Sequence, residues 1–257
     1  MRVMKRLCAS LAIAFATYSR IPMPQVDWSE ENRRYSLCFF PLIGVVIALA
    51  IWAWLHLCKV LSLSGMLQGT IGAAIPLIIT GGIHMDGFMD VTDAVSSWQT
   101  KERRLEILKD SHVGAFAVMG CGAYLLVMAG LLSEATLSDA PMLGACYVVS
   151  RALSAATSVW MKGAKQDGML HSFSHIARRR AVTLSAAGYG CACLAIWAVC
   201  GGWLAAILAV ALIGCGLYYR RMAYRLFGGV TGDLAGWLLQ VTELALIAMV
   251  IIGGKLV

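Results

Sequence analysis

Seven long apolar stretches, at residues 36–58, 66–83, 113–133, 140–160, 182–200, 203–219 and 230–252, constrain this chain more than any other feature. Crossing a hydrocarbon core about 30 Å thick takes roughly 17–25 helical residues, which each stretch supplies or nearly supplies. Within lipid the backbone must satisfy its own hydrogen bonds, so the spans are helices. With 60% hydrophobic and 14% charged residues among 257, the chain lies outside the range of soluble domains. The expected fold class is therefore all-α, a polytopic integral membrane helical bundle of about seven transmembrane helices. It forms a single domain over residues 1–257, embedded in a lipid bilayer.

The basic residues give the bundle a direction. Eighteen of the 21 fall on one side: Arg2, Lys5, Arg6, Arg20, Arg33 and Arg34 before the first span, and three further clusters after the second, fourth and sixth. These clusters are Lys101 to Lys109, Lys162 to Arg180, and Arg220 to Arg225. Lys59 and Lys255 lie opposite, and Arg151 lies within a span. The positive-inside rule places the first side in the cytoplasm. Residues 7–17 must then not cross, and they read as an interfacial or re-entrant helix ended by Pro22 and Pro24. The net charge of +7 is accounted for by these flanks, which excludes a nucleic-acid partner. The nine cysteines form no Cys-x-x-Cys pair and read as small buried apolar residues. His171 and His175, four apart in a Ser- and Gly-rich loop, do not make a transition-metal site.

The chemistry concentrates in Asp86-Gly-Phe-Met-Asp90-Val-Thr-Asp93. On a helix, spacings of 4 and 3 bring the three carboxylates onto one face. No basic residue follows until Lys101, and the cluster sits at a membrane boundary just after Thr80-Gly-Gly82. Hard divalent cations prefer such oxygen donors, and a solvated helix face is the plainer reading. Residues 101–109 then alternate charge as an amphipathic cytoplasmic helix ending at Asp110-Ser111-His112. Asp110 either completes the acidic cluster, with Ser111 and His112 beside it, or caps a helix.

Two further features stand out. Arg151 is an arginine inside a span, and it either forms a structural salt bridge or clamps a substrate phosphate. Gly228-Gly-Val-Thr231-Gly232-Asp233 opens the last helix, where glycines let backbone N–H groups approach a phosphate. Asp233 is either part of that site or an ordinary first-turn acid, and Glu243 is a second acid in the same apolar span.

Together these motifs resemble cobalamin 5′-phosphate synthases, also called adenosylcobinamide-GDP ribazoletransferases. The resemblance is carried by Gly81-Gly-Ile-His-Met-Asp86-Gly-Phe-Met-Asp90-Val-Thr-Asp93 and by Leu105-Glu-Ile-Leu-Lys-Asp110-Ser-His-Val-Gly114. It extends to Ser19-Arg-Ile-Pro22, Pro41-Leu-Ile-Gly44, Ser150-Arg151 and Gly228-Gly-Val-Thr-Gly-Asp233. Ala94 and His112 depart from the family's usual Gly and Arg, and the loop at 166–170 matches loosely. The resemblance implies a multi-pass transferase of the cell inner membrane. Such an enzyme joins adenosylcobinamide-GDP to α-ribazole or its 5′-phosphate and releases GMP, with magnesium (Mg2+) as cofactor. It further implies Asp86, Asp90, Asp93 and Asp110 as metal ligands, with Asp86 preferred as acceptor of the hydroxyl proton. Arg20 and Arg151 would bind phosphate oxygens, and Ser111, His112, Thr231, Gly232, Asp233 and Glu243 would line the substrate. The rival membrane transferases fit less well: a CDP-alcohol phosphotransferase expects Asp-Gly-x-x-Ala-Arg where Phe88-Met-Asp90 stands. A prenyltransferase shares the layout of two acidic motifs and not their surrounding residues. A cation-coupled transporter would carry its acids near the membrane midplane rather than at its edge.

Overall fold

Helix α8 (Ala140–Trp160) organises the molecule, with 83% of its apolar window inside the bundle. Small residues explain its centrality. Gly144 meets Ala48, and Gly44 sits so close to the Tyr147 carbonyl that a Cβ there would lie 2.5 Å from the oxygen. Backbones therefore approach without a side chain between them, which is how helices pack where lipid removes the hydrophobic driving force.

The computed structural model describes residues 2–164 and 168–255. Lys165, Gln166 and Asp167, the last two in the loosely matching loop, lie outside the described residues. The helices run α1 (Arg2–Tyr18), α2 (Glu30–Arg33), α3 (Ser36–Leu61), α4 (Gly65–Thr80), α5 (Ile83–Ser96) and α6 (Lys101–Ile107). They continue through α7 (Ala115–Ser133), α8, α9 (Met169–Ser174), α10 (Arg179–Gly201), α11 (Leu204–Met222) and α12 (Gly232–Gly254). A π-helical turn, Ala223–Phe227, extends α11. Among the described residues six elements are long and apolar enough to cross a membrane, and a seventh is formed if α4 and α5 count as one broken span. The fold is the expected polytopic helical membrane bundle. The expected span at 140–160 coincides with α8, and the others agree to within a few residues at each end.

Three helices surround α8. Against α8, α3 brings Ala48 to Gly144, α10 brings the Trp197 indole N–H to the Met142 carbonyl (3.2 Å), and α12 brings Glu243 to Arg151. On the far side, Gln68 at the start of α4 donates to the Leu132 and Ala135 carbonyls (2.8 Å each), tying it to the end of α7. Helices α10 and α11 are peripheral, with 17% of their windows inside the protein. Helix α1 is 17 residues long and buries Ile13, Ala14 and Phe15 while exposing Val3 and Met4. It packs along α3, in keeping with a helix that lies beside the bundle. Helix α6 is capped by the Thr100 hydroxyl, which accepts from the Arg103 N–H, and it seats Leu108 in a cluster with Tyr219 and Phe227.

Candidate active site

Two consecutive left-handed glycines, Gly81 (φ +67°) and Gly82 (φ +80°), turn the chain by 100° between α4 and α5. An L side chain resists such angles, so the bend depends on glycine at both places. Arg20 lies across the turn: its N–H donates to the Ile79 carbonyl (2.8 Å), and a Cβ on Gly81 would meet its Nε at 2.5 Å. A basic residue is thereby fixed at the C-terminal end of α4, where the helix dipole favours a cation. Gly81 and Gly82 share a shallow pocket with Asp86 and Met89, so Arg20 borders the pocket that Asp86 enters.

Helix α5 then crosses the start of α12 at the closest approach in the site. A Cβ on Gly87 would lie 2.7 Å from the Asp233 carbonyl oxygen, and one on Gly236 would lie 3.1 Å from that of His84. The crossing brings the acids of α5 face to face with the first turn of α12. Asp86, Asp233 and Asp93 are the charges that act on the half-buried Asp90 carboxylate. Among the described residues the ion pairs fall elsewhere, at Arg6–Glu31, Arg103–Glu106, His112–Asp110, Arg151–Glu243 and Lys255–Glu134. None of these involves Asp86, Asp90 or Asp93.

The acids are not equivalent. Asp86 is exposed and lines both the shallow pocket and a cavity of about 220 Å3. Asp93 spends its carboxylate on the N-terminus of α7, accepting from the N–H of Gly114 (2.7 Å) and of Ala117 (2.8 Å). Gly114 has no room for a Cβ beside that carboxylate, which would lie 2.3 Å away. Asp93 therefore acts here as an N-cap supplied from a neighbouring helix. Asp110 stands on the exposed turn that leads to Gly114, where it accepts from the His112 N–H (3.0 Å) and pairs with the His112 ring (2.7 Å). Those bonds hold its carboxyl below the usual carboxylate range. Ser111 and His112 are exposed on the same turn.

At the start of α12, the Thr231 hydroxyl accepts from the Leu234 N–H (3.2 Å) and donates to Asp233 (3.3 Å). Gly232 and Asp233 line the 220 Å3 cavity and a second one of about 200 Å3, which also touches Thr231, Ser158 and His171. Shared lining at Ser158, Leu170, Gly232 and Asp233 makes the two spaces neighbours. His171 and His175 stack at 5.5 Å between ring centroids.

Of the two sequence readings of Arg151, the structure shows the salt bridge, with Glu243 as its partner. Arg151 Nη1 donates to Glu243 Oε1 (2.5 Å) and to the Tyr147 carbonyl (2.7 Å), and Ser150 Oγ donates to the same carboxylate (3.2 Å). Both side chains are 1% exposed. Each neutralises the other, while Arg151 Nε is left without a hydrogen-bond partner. A lone charge inside the bundle is far costlier than a pair, which is why they meet. The two side chains form a buried bridge between α8 and α12. Sequence reasoning missed Tyr18, Phe40, His84, Ser154 and Ser158, which line the 220 Å3 cavity. They come from four helices, and apart from the position of His84 inside the acidic motif no sequence signal links them.

The fold and site define a class: a multi-pass helical membrane enzyme that gathers carboxylates and glycine turns at one end of a cavity. The chain belongs to the cobalamin-5-phosphate synthase family, whose profile matches residues 10–251. It is 42% identical over 249 residues to an adenosylcobinamide-GDP ribazoletransferase of Lachnoclostridium phytofermentans, covering 96% of this chain and 95% of the relative. Relatives bearing the same name in Desulfitobacterium hafniense (32% identical, 91% of this chain, 93% of the relative) and Ralstonia nicotianae (31%, 95% of each) also match. No solved structure matches the chain. It is a transferase of cobalamin biosynthesis.

Proposed function

We propose that this protein joins adenosylcobinamide-GDP to α-ribazole or its 5′-phosphate where α5 crosses α12, with Asp86, Asp90 and Asp233 around the reacting groups. The observation that carries the reading is the Gly87 crossing. It sets carboxylates from two helices against one another at the mouth of a cavity. In this reaction the ribose 3′-hydroxyl oxygen forms a bond to the corrinoid-side phosphorus. The bond from that phosphorus to the bridging oxygen breaks, and GMP leaves with that oxygen. Asp86, exposed at the cavity mouth, accepts the hydroxyl proton. Arg20, fixed beside Gly81, holds diphosphate oxygens, and the turn at Thr231, Gly232 and Asp233 meets the nucleotide.

Magnesium is the proposed cofactor. Among the described residues no three His, Cys, Asp or Glu side chains are grouped tightly enough to hold a metal ion unaided. That arrangement suits magnesium, which binds through one or two carboxylates together with substrate phosphates and water. Asp90 would hold it beside the base Asp86, with Asp110 approaching from the α6–α7 turn and Asp93 fixing α5 against α7. When bound, the ion neutralises charge on the diphosphate and on the departing GMP. The distribution of basic residues, 18 on one side and 2 on the other, supports a cytoplasm-facing site in the cell inner membrane.

The test is GMP release by the purified protein in liposomes, supplied with adenosylcobinamide-GDP and α-ribazole phosphate. Magnesium-dependent release coupled to a cobalamin product is expected. No release from folded, reconstituted protein overturns the proposal.

A further inference from the structure

We propose that the 220 Å3 cavity is the subsite for the planar aromatic base of the acceptor nucleoside, held among Tyr18, Phe40 and His84. This rests on the transfer reading above and says which part of which substrate enters the bundle. Three aromatic rings from α1, α3 and α5 converge on one wall. Tyr18 and Phe40 lie 4.5 Å apart between centroids, Phe40 and His84 5.4 Å, and Tyr18 and His84 are nearly parallel (22°) at 6.2 Å. Leu37 and Ala155 complete an apolar slot. Ring faces stacked on a base are the common means of holding one in a protein.

Size and polarity choose among the aromatic parts of the two substrates. A corrin macrocycle is far too large for this space, so it stays outside. Guanine carries several ring-edge donors and acceptors, and each would need a partner once buried. The slot has few to offer. Ser158 Oγ already donates to the Ser154 carbonyl (2.7 Å), and Ser154 Oγ donates to that of Ala235 (3.3 Å). His84 is 5% exposed, and its Nε2 has no partner. The His84 Nε2 and the Tyr18 hydroxyl are the polar atoms on the aromatic wall, and so few suit a base with a single free ring nitrogen, as in a benzimidazole. The polar end of the cavity agrees, because a base among the rings sends its ribose toward Asp86 and Asp233. That is where the attacking hydroxyl has to be.

Two measurements test the assignment. In steady-state assays with each substrate varied, Phe40→Leu and His84→Gln should raise KM for α-ribazole by about tenfold. KM for adenosylcobinamide-GDP should move by less than twofold. A rise confined to adenosylcobinamide-GDP would give the slot to guanine and overturn the assignment. The second measurement uses the wild-type protein alone, without the corrinoid, so it stands whether or not turnover is seen and whether or not the variants fold. A photoreactive azidobenzimidazole riboside should label the segment holding Tyr18 or Phe40, and excess α-ribazole should compete where GMP does not. Labelling elsewhere, or competition by GMP, would refute it. Failure of wild-type GMP release with correct labelling would count against the transfer reading and leave the base subsite standing.

Discussion

Two sets of charges sit in the apolar helices of this protein, and they resolve differently. Arg151 and Glu243 neutralise each other inside the bundle, each 1% exposed. Asp86, Asp90 and Asp233 meet across a glycine crossing, and Asp86 and Asp233 open onto a cavity. The first set pairs within itself. In the second, the α5 acids Asp86 and Asp90 have no ion-pair partner among the described residues, which is the property of a site. A charge in a membrane helix is therefore a functional marker only after its partner is known.

The comparison breaks first at Asp86. Asp86→Asn keeps the shape and removes the charge, and turnover should fall by on the order of 10³-fold while the protein remains folded in liposomes. Circular dichroism and GMP release on the same sample check both halves. Near-normal turnover would mean that the exposed acids are a solvated face and nothing more.

The opposite pattern is expected at the buried pair. Glu243→Leu strands a buried guanidinium and should cost about 3–5 kcal/mol of stability, read as loss of folded yield and a lower unfolding temperature. Activity per folded molecule should change little. The double variant Arg151→Met with Glu243→Leu should recover much of the lost stability, since a well-packed apolar pair often replaces a buried bridge. A double variant that folds well and yet is inactive would return Arg151 to the site.

Asp93 lies between the two sets and sharpens the contrast. Its sequence spacing groups it with Asp86 and Asp90, while its hydrogen bonds make it the cap of α7. Asp93→Ala should cost about 1–2 kcal/mol, and Asp93→Asn, which can cap with its one carbonyl oxygen, should cost less. Equal and complete loss of activity in both would instead mark the negative charge as the essential feature.

These cases also show what could be read without coordinates. The spans were legible because apolar runs of bilayer length leave few alternatives, as the agreement of α8 with residues 140–160 illustrates. The acidic motif was legible because three aspartates at spacings of 4 and 3 share a helix face. The partner of Arg151 was not, because Glu243 lies 92 residues away and nothing local pairs them. The break between α4 and α5 was only half legible: Gly81-Gly82 announced a bend and not its 100°. The aromatic slot was invisible, since Tyr18, Phe40 and His84 meet only through tertiary packing.

The smallest expected effect is at Thr231, and it bears on how Asp233 is aimed. The hydroxyl both caps α12, accepting from the Leu234 N–H, and donates to the Asp233 carboxylate. Thr231→Val keeps the volume and removes both bonds, which should cost about 1 kcal/mol of stability. Thr231→Ser should restore the cap and the contact to Asp233 together. If Asp233 belongs to the site and is steadied by this hydroxyl, the valine variant should lose a few-fold in GMP release beyond its loss of folded protein, and the serine variant should not. If both variants release GMP in proportion to folded enzyme, Thr231 is a cap alone. The acids that matter would then narrow to those of α5.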